Sequence, residues 1–154
     1  MSIKEQEALK SARGSYYYAL DILKGRFKKG EKAISESAQF SYYYARDILK
    51  SRFEKSESVI SKDAKFSYCY ARDILKGRFE KGEIVISKDA QFSYKYARFV
   101  LKSRFEKAED TISKDAEYSD LYKEYVYDAK KELEKEFKKL RDSIKVNYLY
   151  GIEV

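Results

Sequence analysis

The ionisable side chains of this chain recur at a fixed interval of 26 residues. In four successive copies an arginine precedes a glutamate by five residues. The pairs are Arg26 and Glu31, Arg52 and Glu57, Arg78 and Glu83, and Arg104 and Glu109. An ionic link within or between copies is the simplest chemistry for such a pair, and an exposed pair contributes less than about 1 kcal/mol. We predict a structural ladder of ion pairs, with a functional role for the arginines as the alternative.

Catalysis is not indicated by the residue types present. Histidine is absent, which removes the commonest general base and the commonest zinc ligand. The sequence holds no glycine-rich phosphate loop and no paired-cysteine metal spacing. The single cysteine, Cys69, takes a position that Tyr17, Tyr43 and Lys95 fill in other copies, so no thiol is required there. We expect a protein that is not an enzyme and that uses no metal or cofactor.

A second periodic set of side chains suits binding. Two cations per copy recur in register on the polar back of a predicted helix, beside a position that holds tyrosine twice. The candidate binding residues are Tyr17, Tyr43, Arg46, Lys50, Arg72, Lys76, Lys95, Arg98 and Lys102. Cations can follow a phosphate backbone and rings can stack on bases, but tyrosine and arginine are also frequent hot spots of protein interfaces. Asp21, Asp47 and Asp73 reduce the local charge, so a solvated helix face is the structural alternative.

A tandem repeat positions these side chains. Copies span residues 11–36, 37–62, 63–88 and 89–114 without insertion. Residues 1–10 form an N-terminal capping segment, and residues 115–154 form a degenerate copy followed by a C-terminal capping helix. A strict period of this length is typical of stacked repeats. We predict one domain, residues 1–154, with an all-α fold: a helical-repeat solenoid of about four two-helix units.

The third copy shows how one unit folds. Asp63 can accept a backbone N–H at a helix start, and Gly77 can adopt the left-handed conformation common after a helix end. Phe79 and Ile86 are seven residues apart, which favours a second helix of about two turns. A looser single-turn helix is the fallback, and a β-strand at residues 84–87 is the weaker alternative.

Tyrosine pairs recur in the long helix, at positions 16 and 18, 42 and 44, and 68 and 70. They flank a stripe of small residues that includes Ser67 and Ala71, and such a wide apolar arc suits a helix packed between neighbouring units. We predict that these tyrosines belong to the core rather than to a ligand cage.

The chain ends depart from the repeat. Glu5 and Ala8 match the glutamate and isoleucine positions of a copy, which predicts an N-terminal capping helix. No helix breaker lies between Asp115 and Gly151, so we predict one long C-terminal helix, with Ser143 as a possible kink. Its apolar stripe is expected to cap the stack or to mediate self-association, and it comprises Leu133, Phe137, Leu140 and Ile144. The apolar end, residues 146–154, could pack back or bind a partner.

Composition limits the environment. A net charge of +7 and a pI near 9.2 suit a nucleic acid or an acidic protein partner, although these cations also keep a tyrosine-rich chain in solution. No apolar run is long enough to cross a bilayer, and residues 1–10 lack the apolar core of a signal peptide. One cysteine cannot form an internal disulfide, which fits a reducing compartment. We expect a cytoplasmic protein that does not bind membranes.

Two copies of the repeat contain the segments SYYYARDILKSRFEKSE and FSYCYARDILKGRFEKGE. These segments resemble a class of short tandem repeats in proteins of tailed bacteriophages and other large DNA viruses. The likeness extends from Ser11 to Tyr122 and carries no catalytic residues. One departure is the lack of proline, which such repeats often place after the arginine–aromatic pair. The resemblance implies a small phage-encoded accessory protein in the host cytoplasm.

Two functions follow as hypotheses. The resemblance favours an inhibitor or adaptor that binds a host protein complex, such as a CRISPR effector or another defence system. The basic row of arginine, lysine and tyrosine favours a nucleic-acid-binding repeat protein as the alternative. Self-association through the C-terminal helix is a third possibility.

Overall fold

The computed structural model describes residues 2–149, with side chains described from residue 2 to residue 144. Within this range the chain forms ten α-helices and no β-strand, which confirms the predicted all-α class. The helices are α1 (Ile3–Ala8), α2 (Ala12–Tyr17), α3 (Glu31–Ile34), α4 (Ala38–Tyr43), α5 (Glu57–Ile60), α6 (Ala64–Tyr70), α7 (Glu80–Ile86), α8 (Ala90–Tyr96), α9 (Glu109–Ser113) and α10 (Ala116–Leu149).

Each long helix begins at a side chain that caps it. The carboxylate of Asp63 accepts a hydrogen bond of 2.9 Å from the backbone N–H of Phe66, which satisfies one of the free donors of the first turn of α6. The same bond is made at the other predicted caps, Ser11, Ser37, Asp89 and Asp115. The predicted starts of the long helices are confirmed.

Each long helix ends in a wide turn. The last residues of α2, α4, α6 and α8 continue as π-helical turns at Tyr18–Leu23, Tyr44–Leu49, Ala71–Leu75 and Ala97–Leu101. Lys76 then adopts the left-handed conformation, with φ of 50°, and the N–H groups of Lys76 and Gly77 both donate to the carbonyl of Ala71. The expectation that Gly77 itself is left-handed is wrong by one residue. Serine can replace glycine after the left-handed lysine because a Cβ at Gly77 would meet only the Leu75 carbonyl, at 3.8 Å.

The short helices differ between copies. In the third copy α7 has seven residues, which is the predicted two turns. In the other copies a 3₁₀ turn leads into a helix of only four or five residues, as the single-turn fallback predicts. These turns are Lys28–Gly30, Glu54–Ser56 and Glu106–Ala108. Ile84 to Ile86 are helical, so the strand alternative is wrong.

Long helices of consecutive copies pack side by side. Helix α4 lies against α2 and α6, α6 against α8, and α8 against α10, while each short helix packs beneath its own long helix. Tyr70, Ala71 and Ile86 are fully buried between these layers, and the ring of Tyr70 lies 5.4 Å from that of Phe79. The tyrosine pairs therefore belong to the core, except that Tyr18 is only half-buried.

A buried serine joins each long helix to the short helix before it. The Ser67 hydroxyl donates to the carbonyl of Ile60 at 2.8 Å, and Ser15, Ser41 and Ser93 do the same in their copies. The carbonyl of Ile60 also accepts the backbone N–H of Asp63 at 3.1 Å, so the serine adds a second hydrogen bond at the end of the short helix.

A buried tyrosine hydroxyl joins each copy to the one before it. The Tyr70 hydroxyl accepts the backbone N–H of Phe53 at 2.8 Å and donates to Glu57 at 3.5 Å. Burial raises the pKa of Tyr70 to about 12, so the hydroxyl keeps its proton and acts as donor and acceptor together. The N–H bond recurs at Tyr44, Tyr96 and Tyr122.

The two ends are capped differently. At the first end, α1 places Glu5 where it pairs with Lys29 at 2.9 Å, which confirms the predicted N-terminal capping helix. At the other end, the start of α10 packs on α8 and α9, but the helix continues without interruption to Leu149. Leu133 and the rest of the predicted apolar stripe are more than half exposed, so this stripe does not cap the stack. The side chains of residues 146–154 lie outside the described part of the chain.

Replacing Tyr70 with phenylalanine tests the link between copies. The change leaves the N–H of Phe53 buried without its acceptor, and we expect the free energy of unfolding to fall by about 1–3 kcal/mol. Urea unfolding followed by circular dichroism measures it. Tyr68→Phe is the matched control, since its equally buried ring has a hydroxyl that only accepts from the exposed Arg72, and it should cost at most about 1 kcal/mol. Equal losses would contradict the assignment.

Replacing Lys76 with glycine tests the strain in the left-handed turn. A left-handed residue other than glycine costs about 1–2 kcal/mol of stability. Glycine removes this cost, but its greater flexibility in the unfolded chain offsets part of the gain. We expect Lys76→Gly to raise the unfolding free energy by about 0.5–1 kcal/mol. Lys76→Ala removes the same charge and keeps the strain, so it should bring no gain. A gain shared by both variants would assign the effect to charge.

Candidate binding surface

Four turns lie side by side along one edge of the stack. They span residues 24–29, 50–55, 76–81 and 102–107 and join each long helix to its short helix. The π-helical turns that precede them contact one another in chain order. Lys55 and Lys81 also reach back to glutamates of the preceding copies. We call these four turns the turn edge.

The turn edge concentrates the positive charge of the protein. It carries thirteen lysines and arginines against three glutamates, a net charge of +10. Four further carboxylates, Glu31, Glu57, Glu83 and Glu109, lie behind it and leave a net +6 of the chain's total of +7. The rest of the sequence is therefore nearly neutral in total, so this edge carries most of the net positive charge and attracts anions.

A buried glutamate fixes two of these cations in each of the first three copies. Glu57 is 1% exposed, and its two oxygens accept hydrogen bonds from Arg52 at 2.5 and 3.0 Å and from Lys81 at 2.8 Å. Arg52 belongs to the same copy and Lys81 to the next one. The predicted arginine–glutamate ladder is confirmed, but it is not an exposed pair, because only the cations reach solvent.

The electrostatics of the glutamate follow from this cluster. Burial by itself raises the pKa of Glu57, but the hydrogen bonds from Arg52 and Lys81 outweigh it and hold the pKa below its ordinary value of 4.5. Glu31 and Glu83 lie in equivalent clusters, with pKa values lowered for the same reasons. The glutamates are thus ionised at neutral pH, and they orient the arginines and lysines of the edge without burying them.

The left-handed lysine of each turn is exposed and takes part in no ion pair within residues 2–144; these lysines are Lys24, Lys50, Lys76 and Lys102. The last three were predicted as binding residues from sequence. The structure brings them together with Arg52, Arg78 and Arg104, so that each turn presents both a free and a fixed cation.

The predicted arginines lie apart from this edge, on the outer face of the long helices. Arg46 and Arg72 each bind both oxygens of the adjacent Asp47 or Asp73, at 2.6–2.9 Å. The same carboxylates accept the hydroxyls of Tyr16 and Tyr42 from the preceding copies, at 2.8 and 2.6 Å. These arginines therefore sit in locally neutral clusters that join neighbouring copies.

Arg98 differs from its counterparts. Phe99 stands where the other copies have aspartate, and it is 51% exposed. The guanidinium of Arg98 donates to the Tyr94 hydroxyl and lies 5.3 Å from the centre of the Phe99 ring. Arg98 is accordingly the one arginine of the predicted row that has no ion pair within the described side chains.

The predicted aromatic row is short. Tyr17 is 44% exposed, but Tyr43 is half-buried, with its ring 5.9 Å from Tyr16 and 6.3 Å from Phe66. The half-buried Cys69 and Lys95 take this position in the next two copies. The outer face thus offers no continuous series of free rings on which successive bases could stack.

The sequence contained the signal for the turn edge. Arg52, Arg78 and Arg104 were predicted to form a structural ladder, with a functional role only as the alternative, because each has a glutamate at a fixed spacing. A count of charge by segment would have found them, since every turn contains three or four cations in six residues. Only the structure places the four turns next to one another.

Other chemistry is not apparent in the described residues. Residues 2–144 contain no group of three or more acidic, cysteine or histidine side chains placed to hold a metal ion. Burial raises the pKa of the Cys69 thiol, which keeps it protonated and weakly nucleophilic. None of the described helices is both long and apolar enough to span a membrane.

Comparisons of the chain with protein-family models, with characterised proteins and with solved structures find no significant match.

The buried glutamates predict acid sensitivity. Because their pKa is lower in the folded chain than in the unfolded chain, their stabilising effect is complete above about pH 4.5 and is lost as pH falls through the lowered folded value. We expect the unfolding free energy to drop steeply below about pH 4.5. Glu57→Gln should flatten part of this drop, as measured by urea unfolding across pH. Glu80→Gln, an exposed glutamate of the adjacent copy, is the control and should keep the wild-type profile. Three superimposable profiles would contradict the role of Glu57.

Proposed function

We propose that this chain is a non-enzymatic binding protein whose turn edge docks onto an acidic surface of a partner protein. The single observation that supports this most is the net charge of +6 that remains on one edge after the four glutamates behind it are counted. Repeat stacks commonly bind through extended surfaces built from equivalent positions in successive units. Here those positions are the left-handed lysine and the fixed arginine of each turn.

Fixed cations favour specific binding. Arg52 and Arg78 are held by glutamates that are at most 1% exposed, while about half of each arginine side chain remains open to solvent. Less side-chain entropy is lost when such a preorganised group meets an anion. Complementary charge also speeds association and excludes basic partners. A partner with carboxylates arranged along a groove or helix matches this surface.

The biological setting of the proposal rests on the resemblance of the repeat. Short tandem repeats of this type in phage proteins favour an inhibitor or adaptor that acts in the host cytoplasm on a host complex. A bacterial defence assembly, including a CRISPR effector, is the partner class that we propose. No residue is assigned a catalytic role.

Nucleic acid is the second candidate. The unpaired lysines of successive turns suit phosphates, and helices packed side by side lie about 8–10 Å apart, which gives regularly spaced charge. The outer face does not favour base recognition, because the Tyr43 ring there is packed against Tyr16 and Phe66. A nucleic acid would therefore be held by its backbone, with a strong dependence on salt.

Charge reversal at the turn edge tests the proposal. Lys50→Glu, Lys76→Glu and Lys102→Glu are combined, because these lysines join no described ion pair and their loss leaves the glutamate clusters intact. The matched control combines Lys62→Glu, Lys88→Glu and Lys114→Glu at the turns that lead into the long helices, with the same change in net charge. We expect recovery of a host protein from nuclease-treated lysate to fall about tenfold for the edge variant only.

Two outcomes decide between the candidates. A host protein recovered equally by the wild type and both variants would contradict docking through the edge. Mobility shift of duplex and single-stranded nucleic acid at about 50 and 200 mM salt tests the second candidate, since backbone binding weakens steeply over this range. A salt-sensitive shift that is lost in the edge variant, without any protein recovered, would replace the first proposal with the second.

A further inference from the structure

The second half of α10 projects from the repeat stack. The long helices of the repeats all end before a left-handed lysine, whereas α10 has Asp128 at that position and continues. Residues 129–144 extend for about 24 Å beyond that point. Leu133, Phe137, Leu140 and Ile144 are 53%, 62%, 58% and 59% exposed, so none of them is covered by the stack.

The spacing of these side chains is that of a coiled coil. Steps of four, three and four residues place Leu133 and Leu140 at d positions and Phe137 and Ile144 at a positions of two heptads. One seam of this kind on an otherwise charged helix is the narrow stripe typical of helix pairing. Leucine at d with a β-branched residue at a, as at Ile144, favours two parallel strands.

The charges beside the seam indicate a second copy in parallel orientation. Glu136 occupies a g position, and Arg141 occupies the e position five residues later. In a parallel pair these two side chains face each other across the seam, and symmetry makes the contact twice. An antiparallel pair would instead bring Glu136 opposite its own counterpart. In addition, Lys130 is a single polar residue at the a position before the stripe, a feature that fixes register.

We propose that the projecting part of α10 pairs in parallel with α10 of a second copy of this chain, through Leu133, Phe137, Leu140 and Ile144. The pair forms a dimer that carries two turn edges. The inference is independent of what the turn edge binds.

Molecular mass in solution tests the dimer. Light scattering and sedimentation of the full chain across a concentration series should show a shift towards twice the chain mass of 18.2 kDa. Phe137→Ser combined with Leu140→Ser should abolish this shift and leave the helical circular dichroism signal unchanged, because both side chains are exposed. Ile84→Ser, which removes an equally exposed apolar side chain from α7, is the control and should dimerise like the wild type.

A wild-type chain that stays monomeric at every concentration would overturn the proposal. The proposal would then be wrong whether the stripe folds back on its own stack or binds a different protein. A dimer that survives the double serine change would place the contact elsewhere and overturn it equally.

Charge exchange tests the orientation. Glu136→Lys and Arg141→Glu each place like charges across a parallel seam, and each should raise the dimer dissociation constant about tenfold. The two changes together restore opposite charges and should return the constant close to the wild-type value. Single variants without effect, or a combined variant as weak as either single one, would exclude the parallel arrangement.

Discussion

A buried carboxylate in each of the first three copies is the constraint on which the rest of the structure depends. Glu31, Glu57 and Glu83 are at most 1% exposed, and a buried charge without partners would cost several kcal/mol. The glutamate therefore requires donors, and these come from two copies at once: Arg52 from its own copy, Lys81 and Tyr70 from the next. Because no copy can satisfy its glutamate alone, the cluster sets the register between neighbours as well as their contact.

The same cluster explains why a binding surface arises at this edge. The donors reach the glutamate from outside, so their hydrocarbon stems and charged ends line the turns and remain partly exposed. Each turn adds a left-handed lysine whose conformation directs the chain from the long helix into the short one. The need of the glutamates for donors thus places cations at equivalent positions in successive copies. Stacking of the copies then arranges these cations in a row. Specificity for a partner can then depend on the few positions that vary.

The end of the stack follows from the loss of these donors. In the fifth copy Leu133 stands where the lysine partner of the preceding glutamate belongs, and Glu109 is accordingly 32% exposed instead of buried. Asp128, at the position of the left-handed lysine, lies within α10, so the turn is missing from this copy and the helix continues. The repeat pattern therefore ends where α10 continues beyond the stack as an amphipathic helix with an exposed apolar seam.

The sequence by itself determined the period, the helical class, the capping residues and the pairing of Arg52 with Glu57, because these depend on local chemistry that repeats within the chain. It placed the left-handed residue one position late. Glycine favours this conformation in general, but the π-helical turn of this chain ends one residue earlier, at Lys76. It also placed Arg46 and Arg72 among the binding residues, although it expected Asp47 and Asp73 to reduce their charge. Only the tertiary structure decided that Glu57 is buried and that four separate turns form one basic edge, because both depend on which copies touch.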